Sequence, residues 1–250
     1  MVLTQQIGRK YASVVVFLCV FCVLGLCREL RAAGPTELLR YEITWNGNKA
    51  GHGDVTAKRE ANHVMVTVQA VSDGVLKKIV EAWSRVQATF TAKTFQPKKY
   101  DFAFRSSLGD PELVALTFDH DKSLVQVSKQ RGTECENHQE QCSALYDPIT
   151  ATYLLRSQKD LTKPLFVDVY DGKDKARLYV TPAGLGPVQI KRGAHQAFRL
   201  DLRLVKLRGD KQEIAKGSLW ISNDQHRIPL LLTSSPIVGT IRCELVDSQL

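Results

Sequence analysis

The chain has 250 residues and a formal net charge of +8, and 44% of its residues are hydrophobic. Because the basic residues are spread along the chain rather than gathered in blocks, the charge argues against nucleic acid as a partner. A chain of this length can bury one sizeable core, and we find neither an internal repeat nor a Gly/Ser/Pro-rich linker. We therefore predict a single β-rich domain over residues 34–250.

Residues 1–33 have the order of a secretory signal: a short basic region, an apolar run and small residues. Arg9 and Lys10 supply the charge, the apolar run extends from Ala12 to Leu26, and small residues close the segment at Ala33. The run is short for a transmembrane helix, which needs about 20 residues. We expect export to the periplasm. The alternative is an uncleaved anchor in the inner membrane that faces the periplasm.

Cleavage after residue 33 removes four basic residues and one acidic residue, so the net charge falls from +8 to +5. An exported basic protein meets anionic lipid head groups or an acidic envelope polymer more readily than it meets nucleic acid. Proximity to the membrane is one expectation from this charge, and plain solubility is the simpler explanation.

Alternation of apolar and polar residues dominates the mature chain and predicts half-buried strands. The clearest strands predicted in this way are Tyr41–Trp45, Val64–Ala70, Trp83–Phe90 and Phe198–Leu204. Hairpin turns are predicted at Gly47-Asn48, Asp119–Lys122, Asp171-Gly172 and Asn223-Asp224. Short connections give antiparallel pairing, and a long antiparallel sheet must curl to cover its core. We predict a mainly β protein: a single strongly curved antiparallel sheet or half-open barrel of ten or more strands, with one or two helices.

One helix has a clear start signal. Asp147 suits the N-cap position and Pro148 the first helical position, so we predict a helix from Ile149 to Arg156. This helix is expected to pack on or in the concave side of the sheet. A shorter helix or turn is predicted from Val75 to Val80.

The mature chain contains three cysteines. Cys135 and Cys142 flank six polar residues, and export to an oxidising compartment favours a disulfide between them. A metal site that includes Glu134 and His138 is the alternative, but the spacing does not match a zinc motif, so no metal is expected. Cys243 lies in an apolar strand pattern and is expected to be a buried thiol.

No local motif for catalysis is present: neither a Gly-x-Ser-x-Gly elbow nor a phosphate loop nor a dinucleotide fingerprint. His120 lies between two aspartates at a hairpin tip, which is typical of a solvated turn. Asp224 and Arg227 most simply fix a turn. We expect neither an enzyme nor a cofactor.

Four residues are candidates for ligand contact. Tyr153 and Leu154 lie on the predicted helix, which could cover whatever the concave face binds. Trp45 and Trp220 could stack on a ligand, although tryptophans in β proteins more often pack in the core or at its rim.

Five fragments, taken in order, resemble one family across nearly the whole mature chain. They are Tyr41–Trp45, Pro97 with Tyr100, Asp147–Arg156, Val169–Gly172 and Leu219–Pro229. Together they resemble the exported bacterial domain-of-unknown-function 3108 family. The resemblance implies an envelope protein of Gram-negative-type bacteria, with no established activity and a shape similar to the half-open barrel of periplasmic lipoprotein carriers. Such a likeness in fold says little about function.

Three functions are consistent with these patterns. The leading hypothesis is a periplasmic, non-enzymatic protein whose concave face binds an apolar or amphiphilic envelope component, such as a lipid or the acyl chain of a lipoprotein. The second is an envelope assembly or interaction protein that uses a sheet edge or loops on a protein partner. The third is an uncharacterised hydrolase. An open apolar cavity favours the first, a concave side filled by its own side chains the second, and converging carboxylates or histidines the third.

Overall fold

A computed structural model describes residues 35–209, 212–235 and 239–250. The predicted signal of residues 1–33 lies outside the described residues. The fifteen strands of the described chain form one sheet, and two helices accompany it. The prediction of a single large curved sheet with one or two helices is confirmed.

The strands of the first half of the chain are β1 (Pro35–Trp45), β2 (Asn48–Glu60), β3 (His63–Ser72), β4 (Ala82–Thr91), β5 (Pro97–Ser106), β6 (Gly109–Asp119), β7 (Leu124–Arg131) and β8 (Glu134–Gln141). Those of the second half are β9 (Leu145–Tyr146), β10 (Leu165–Tyr170), β11 (Lys175–Ile190), β12 (Gly193–Lys206), β13 (Glu213–Ser222), β14 (Pro229–Ser234) and β15 (Ile241–Gln249). The helices are α1 (Gly74–Lys77) and α2 (Pro148–Arg156).

Strand β1 joins the two halves of the sheet, because it pairs with β2 on one side and with β15 on the other. From β1 the order runs through β2 to β8 at one edge, and from β15 back through β10 to β9 at the other edge. Neighbouring strands are antiparallel except β9 and β10, which are parallel. The first and last strands of the described chain therefore meet at the centre of the sheet.

The sheet curls almost into a barrel. Strands β8 and β9 follow each other in the chain yet form opposite edges, and only residues 142–144 connect them. Because an extended chain spans at most about 3.6 Å per residue, the two edges lie within roughly 15 Å of each other at this point. The structure is thus a half-open barrel.

Ion pairs bridge the gap between the two edges. The Lys175 ammonium at the start of β11 lies 2.6 Å from the Glu140 carboxylate on β8 and lowers the pKa of that carboxyl group. Lys173, in the turn before β11, lies 2.7 Å from Glu112 on β6. These pairs hold the two halves of the sheet close together without backbone pairing.

The tip of the β11–β12 hairpin folds over the outer face of the sheet. Lys191 Nζ lies 2.5 Å from Glu42 on β1, and Arg242 on β15 donates to the Gln189 carbonyl at 3.1 Å. Glu42 alternates with the buried Tyr41, so it points to the face opposite the core. The hairpin therefore covers the outside of β1 and β15.

Helix α2 occupies the concave side of the sheet, as predicted. Eight of its nine residues are buried. Ile149, Ala151 and Leu155 each belong to a different cluster of buried side chains, and the sheet supplies most of the rest of all three clusters. The helix is consequently enclosed by the sheet, and its side chains fill much of the space that a half-open barrel would otherwise offer to a ligand.

The predicted disulfide between Cys135 and Cys142 is wrong, because both residues belong to one extended segment. Cys135 is the second residue of β8 and Cys142 directly follows the end of that strand. Seven residue steps along a strand separate the Cα atoms by about 23 Å, whereas a disulfide needs less than about 7 Å. Both cysteines are free, and burial raises the pKa of the Cys142 thiol. Cys243 is a buried free thiol, as expected.

Two boundaries differ from the predictions. The first hairpin turns at Asn46-Gly47, one residue earlier than predicted, because both residues adopt positive φ angles of 49° and 78° and a two-residue turn of this kind needs them. Helix α1 is one turn long and ends at Lys77 rather than at Val80. The other predicted turns and strands are confirmed.

Candidate ligand-binding cleft at the end of the central helix

The first end of α2 is closed. Asp147 is the N-cap, and its carboxylate accepts hydrogen bonds from the backbone N–H of Thr150 at 2.8 Å and from the Thr150 hydroxyl at 2.5 Å. The side chain is fully buried, and this burial raises the pKa of Asp147 to about 6. This end of the helix is therefore anchored inside the sheet.

One side of α2 carries Ile149, Tyr153 and Arg156, which are spaced four and three residues apart and so share a helix face. The Tyr153 ring packs against Phe90 of β4 with ring centroids 5.2 Å apart. Its hydroxyl donates to Glu37 of β1 at 3.3 Å. Burial, followed by the nearby Glu37 charge, raises the pKa of Tyr153 well above its ordinary value.

The second end of α2 carries a buried ion pair. Arg156 Nη2 lies 3.3 Å from Glu37 Oε2, and the two side chains are only 3% and 2% exposed. The same Nη2 also donates to the backbone carbonyl of His226 at 3.0 Å. The pair links α2 to the central strand β1 and to the turn between β13 and β14. Removing one member of such a pair leaves an uncompensated buried charge.

The remaining nitrogens of Arg156 are unpaired. Neither Nε nor Nη1 has a hydrogen-bond partner among the described residues. Six buried side-chain nitrogens of the described chain lack a partner, and four of them belong to Arg156, His226 and Arg227. Buried polar groups are nearly always satisfied, so this concentration at one place marks the end of α2 as unusual.

These three residues line one cleft of about 430 Å³, which we call the helix-end cleft. Its walls come from the turn after β4, from the end of α2 and from the turn before β14. The lining residues are Ala92, Lys93, Phe95, Tyr153, Arg156, Ser157, Gln158, Lys159, Gln225, His226 and Arg227. The volume falls within the usual range of small-molecule sites, about 300–1,000 Å³.

The helix-end cleft is basic and partly apolar. Lys93, Arg156, Lys159 and Arg227 line it, and no carboxylate is among the lining residues. Phe95 and Tyr153 contribute aromatic surface beside these cations. This combination suits a ligand that has an anionic group and a short apolar part.

The turn that carries His226 and Arg227 is tightly fixed. The Asp224 carboxylate accepts from the backbone N–H groups of both residues, at 2.7 and 3.0 Å. Arg227 adopts a φ of 49°, in the left-handed region that is uncommon for arginine. Its guanidinium lies 4.7 Å from the centre of the Phe198 ring. The predicted turn role of Asp224 is thus evident, and the turn also aims His226 and Arg227 at the cleft.

The four predicted ligand-contact residues lie in different places. Tyr153 lines the helix-end cleft. Leu154 is half-buried and packs against the core beside the helix. Trp45 is half-buried on the inner face at the end of β1, next to the cluster that contains Leu155. Trp220 lies on the outer face, where the Arg199 guanidinium sits 5.5 Å from its ring centre.

The sequence did not single out Glu37, Arg156 or His226 as site residues. Helical spacing from Ile149 and Tyr153 would have placed Arg156 on the buried face of α2, and a buried arginine is a strong signal. Nothing local in the sequence connects Glu37 or His226 to that helix, since 119 and 70 residues separate them from Arg156.

The fold and the cleft together define a class: a curled antiparallel sheet that encloses one helix and leaves a basic cleft at the end of that helix. Residues 40–246 match the model of the family described as a protein of unknown function, DUF3108. The chain belongs to this family, as the resemblance of its sequence fragments indicated.

Solved structures share the fold at low sequence identity. A β-barrel-like protein of the DUF1849 family from Brucella abortus is 11% identical, with a TM-score of 0.62 over 88% of this chain and 98% of that one. A candidate exported protein with a YmcC-like fold from Bacteroides fragilis is 10% identical, with a TM-score of 0.37 over 90% of this chain and 100% of that one, a likeness too low to support a conclusion. No curated protein matches the chain at a significant level.

Among the helices of the described residues, none has the length and apolarity that a membrane crossing requires.

Proposed function

We propose that this protein is a non-enzymatic binding protein of the bacterial cell envelope, and that it holds an amphiphilic envelope component in the helix-end cleft. The observation that carries the proposal is that Arg156, His226 and Arg227, which line one cleft, hold four buried nitrogens without a hydrogen-bond partner. Apolar surface from Phe95 adjoins these nitrogens. A ligand with a polar head and a short apolar part would satisfy both features.

The filled concave side limits what such a ligand can be. Because α2 is almost entirely buried against the sheet, an acyl chain laid along the concave face would have to displace the helix. The ligand of this proposal therefore stays at the end of the helix and does not thread through the sheet. This differs from the deep acyl site that the curved sheet alone predicted.

A binding role fits the polar groups of the cleft better than a catalytic one. The raised pKa of Tyr153 keeps its hydroxyl protonated. The Ser157 hydroxyl donates to the Leu154 carbonyl at 2.7 Å, so it is engaged with the backbone rather than with a base. Both hydroxyls already donate their proton within the chain, Tyr153 to Glu37 and Ser157 to the Leu154 carbonyl, and this supports a binding role over a catalytic one.

Export to the periplasm is part of the same proposal, and its support is the basic–apolar–small order of residues 1–33. Fusion of residues 1–40 to a reporter that is active only after export tests it directly. A fusion whose reporter stays in the cytoplasm, and is therefore inactive, would contradict the localisation.

An interaction protein is the second candidate function, because the outer face of the second half carries arginines over aromatic rings. The Arg177 guanidinium lies 4.3 Å from the centre of the Phe166 ring, and Phe166 is 58% exposed. The Arg203 guanidinium lies 5.0 Å from the Tyr179 ring on the same face. Exposed arginine and aromatic side chains are enriched at the centre of protein interfaces.

Native mass spectrometry of the exported protein, purified from a bacterial envelope, tests the leading proposal. The wild-type protein is expected to carry an added small mass. Ser157 is exposed at the cleft, so Ser157→Trp should cover the cleft with little effect on the fold and remove that mass. Ser128→Trp, at an exposed position of β7, is the matched control and should keep it. Wild-type protein without any added mass would contradict the proposal.

A further inference from the structure

The unpaired nitrogens of the helix-end cleft specify which chemical group the ligand presents. We infer that the cleft is a receptor for an oxyanion, either a carboxylate or a phosphate. The oxyanion binds the free nitrogens of Arg156, with support from Arg227 and from the rim lysines, Lys93 and Lys159. The inference rests on the proposed function, since it names the polar group of the ligand that is held there.

The first argument is the chemistry of the unpaired groups. A guanidinium has donors and no acceptor, and it stays charged in proteins, so its free nitrogens can be satisfied only by an acceptor. Arg156 Nε and Nη1 and Arg227 Nη1 are three such nitrogens, and both residues line the same cleft. Carboxylate and phosphate oxygens are the strongest acceptors for arginine.

The second argument is the balance of charge. Glu37 neutralises Arg156, but Lys93, Lys159 and Arg227 form no ion pair within the described part of the chain. The cleft therefore carries an excess of positive charge, and an anionic ligand is the species that would balance it. Arg227 does contact the Phe198 ring, which leaves its net charge unchanged.

The third argument is the rigidity of the receptor. Nη2 of Arg156 is held by Glu37 and by the His226 carbonyl, and Glu37 is itself held by the Tyr153 hydroxyl. The guanidinium also lies 5.4 Å from the centre of the Tyr153 ring. These contacts fix it in place, while Nε and Nη1 have no hydrogen-bond partner among the described residues. A side chain that is positioned before binding loses little conformational entropy when it binds.

Isothermal titration of the full mature chain with four probes tests this inference: inorganic phosphate, decyl phosphate, decanoate and decanol. We expect decyl phosphate and decanoate to bind. We expect decanol to bind at least roughly tenfold more weakly, because it lacks the anionic group that the arginines need. Inorganic phosphate has no apolar chain, so comparing it with decyl phosphate distinguishes a free phosphate ion from a lipid head group as the source of the anion.

Charge-reversal variants test the role of the rim without disturbing the core. Lys93 and Lys159 are exposed, so Lys93→Glu/Lys159→Glu should fold normally and weaken decyl phosphate binding by roughly tenfold or more. Lys78→Glu/Lys216→Glu changes the net charge equally at exposed positions that do not line the cleft, and it should bind as the wild type does. Equal loss of binding in both double variants would overturn the inference.

Arg156→Lys tests the receptor itself. Lysine keeps a positive charge opposite Glu37 but has neither Nε nor Nη1, so binding of decyl phosphate should fall by more than roughly tenfold. Where this variant fails to fold, the exposed lysine pair still decides the matter.

The outcomes separate the inference from the proposed function. Inorganic phosphate that binds as tightly as decyl phosphate supports the oxyanion receptor and overturns the amphiphile. Decanol that binds as tightly as decanoate, with no effect of the lysine reversal, overturns the oxyanion and leaves the amphiphile. Failure of all four probes to bind overturns both.

Discussion

The two ends of α2 each bury an ionisable side chain, but only one end leaves hydrogen-bonding groups without partners. At the first end, Asp147 accepts two hydrogen bonds from Thr150 and is sealed inside the sheet. At the second end, Arg156 has a partner for one guanidinium nitrogen and none for the other two. A cleft adjoins the second end, and Arg156 is one of its lining residues.

The difference separates structural from functional polar groups in this fold. A buried group with all of its partners supplied by the chain stabilises one conformation. A buried donor without a partner costs stability unless a water, an ion or a ligand completes it. In the proposed function, Asp147 therefore anchors the helix and Arg156 recognises the ligand.

The largest expected effect comes from Arg156→Met, which leaves Glu37 buried without its partner. We expect a loss of about 3–5 kcal/mol in the free energy of unfolding, measured by urea denaturation. The double variant Glu37→Gln/Arg156→Met should recover much of this stability, because it removes the uncompensated charge, but it should not recover ligand binding. A double variant that binds ligand as the wild type does would place recognition elsewhere.

Two adjacent leucines test how completely the last turn of α2 is enclosed. Leu155 is 2% exposed and belongs to a core cluster, so Leu155→Ala should cost about 2–5 kcal/mol. Leu154 is half-buried, and Leu154→Ala should cost clearly less while leaving uptake of a fluorescent fatty acid unchanged. Both free energies come from urea denaturation. Altered uptake with little loss of stability in Leu154→Ala would instead indicate an acyl site beneath the helix.

The pH dependence of stability tests the closed end of α2. Burial raises the pKa of Asp147 to about 6, so the folded state binds a proton more readily than the unfolded chain does. The contribution of this group to stability is therefore greatest below about pH 4 and is lost as the pH rises through about 6. A pKa difference of about two units corresponds to roughly 3 kcal/mol.

Asp147→Asn is the control for this pH dependence, since asparagine can still cap the helix but does not titrate. The stability of the wild type relative to this variant should increase as the pH falls from 7 to 4.5. A relative stability that is the same at both pH values would show that Asp147 does not titrate in this range.

Much of the fold could be predicted from local patterns. The alternation in Phe198–Leu204 and the Asp147-Pro148 start signal each depend on neighbouring residues, and both elements are present. The Cys135–Cys142 prediction failed because polarity was taken as a sign of a loop, whereas polar residues also form an exposed edge strand.

Most of the helix-end cleft could not be predicted from the sequence, because its residues are distant from one another in the chain. Glu37, Arg156 and His226 come together only after β1, α2 and the turn before β14 are assembled by the curled sheet. The positions of these residues in the sequence do not indicate that they come into contact. Tyr153 was found because helical periodicity is local, and Arg156 could have been found in the same way.

The central claim is that the free nitrogens of Arg156 receive the anionic group of a ligand. The arginine Nε–H signals of ¹⁵N-labelled protein report this contact directly, and Arg156→Lys identifies the signal of Arg156 by its loss. On titration with decyl phosphate, the Arg156 Nε–H signal is expected to move in a saturable way and to exchange more slowly with water, because a phosphate oxygen then accepts its hydrogen bond. A signal that stays in place while the protein binds decyl phosphate would contradict the account.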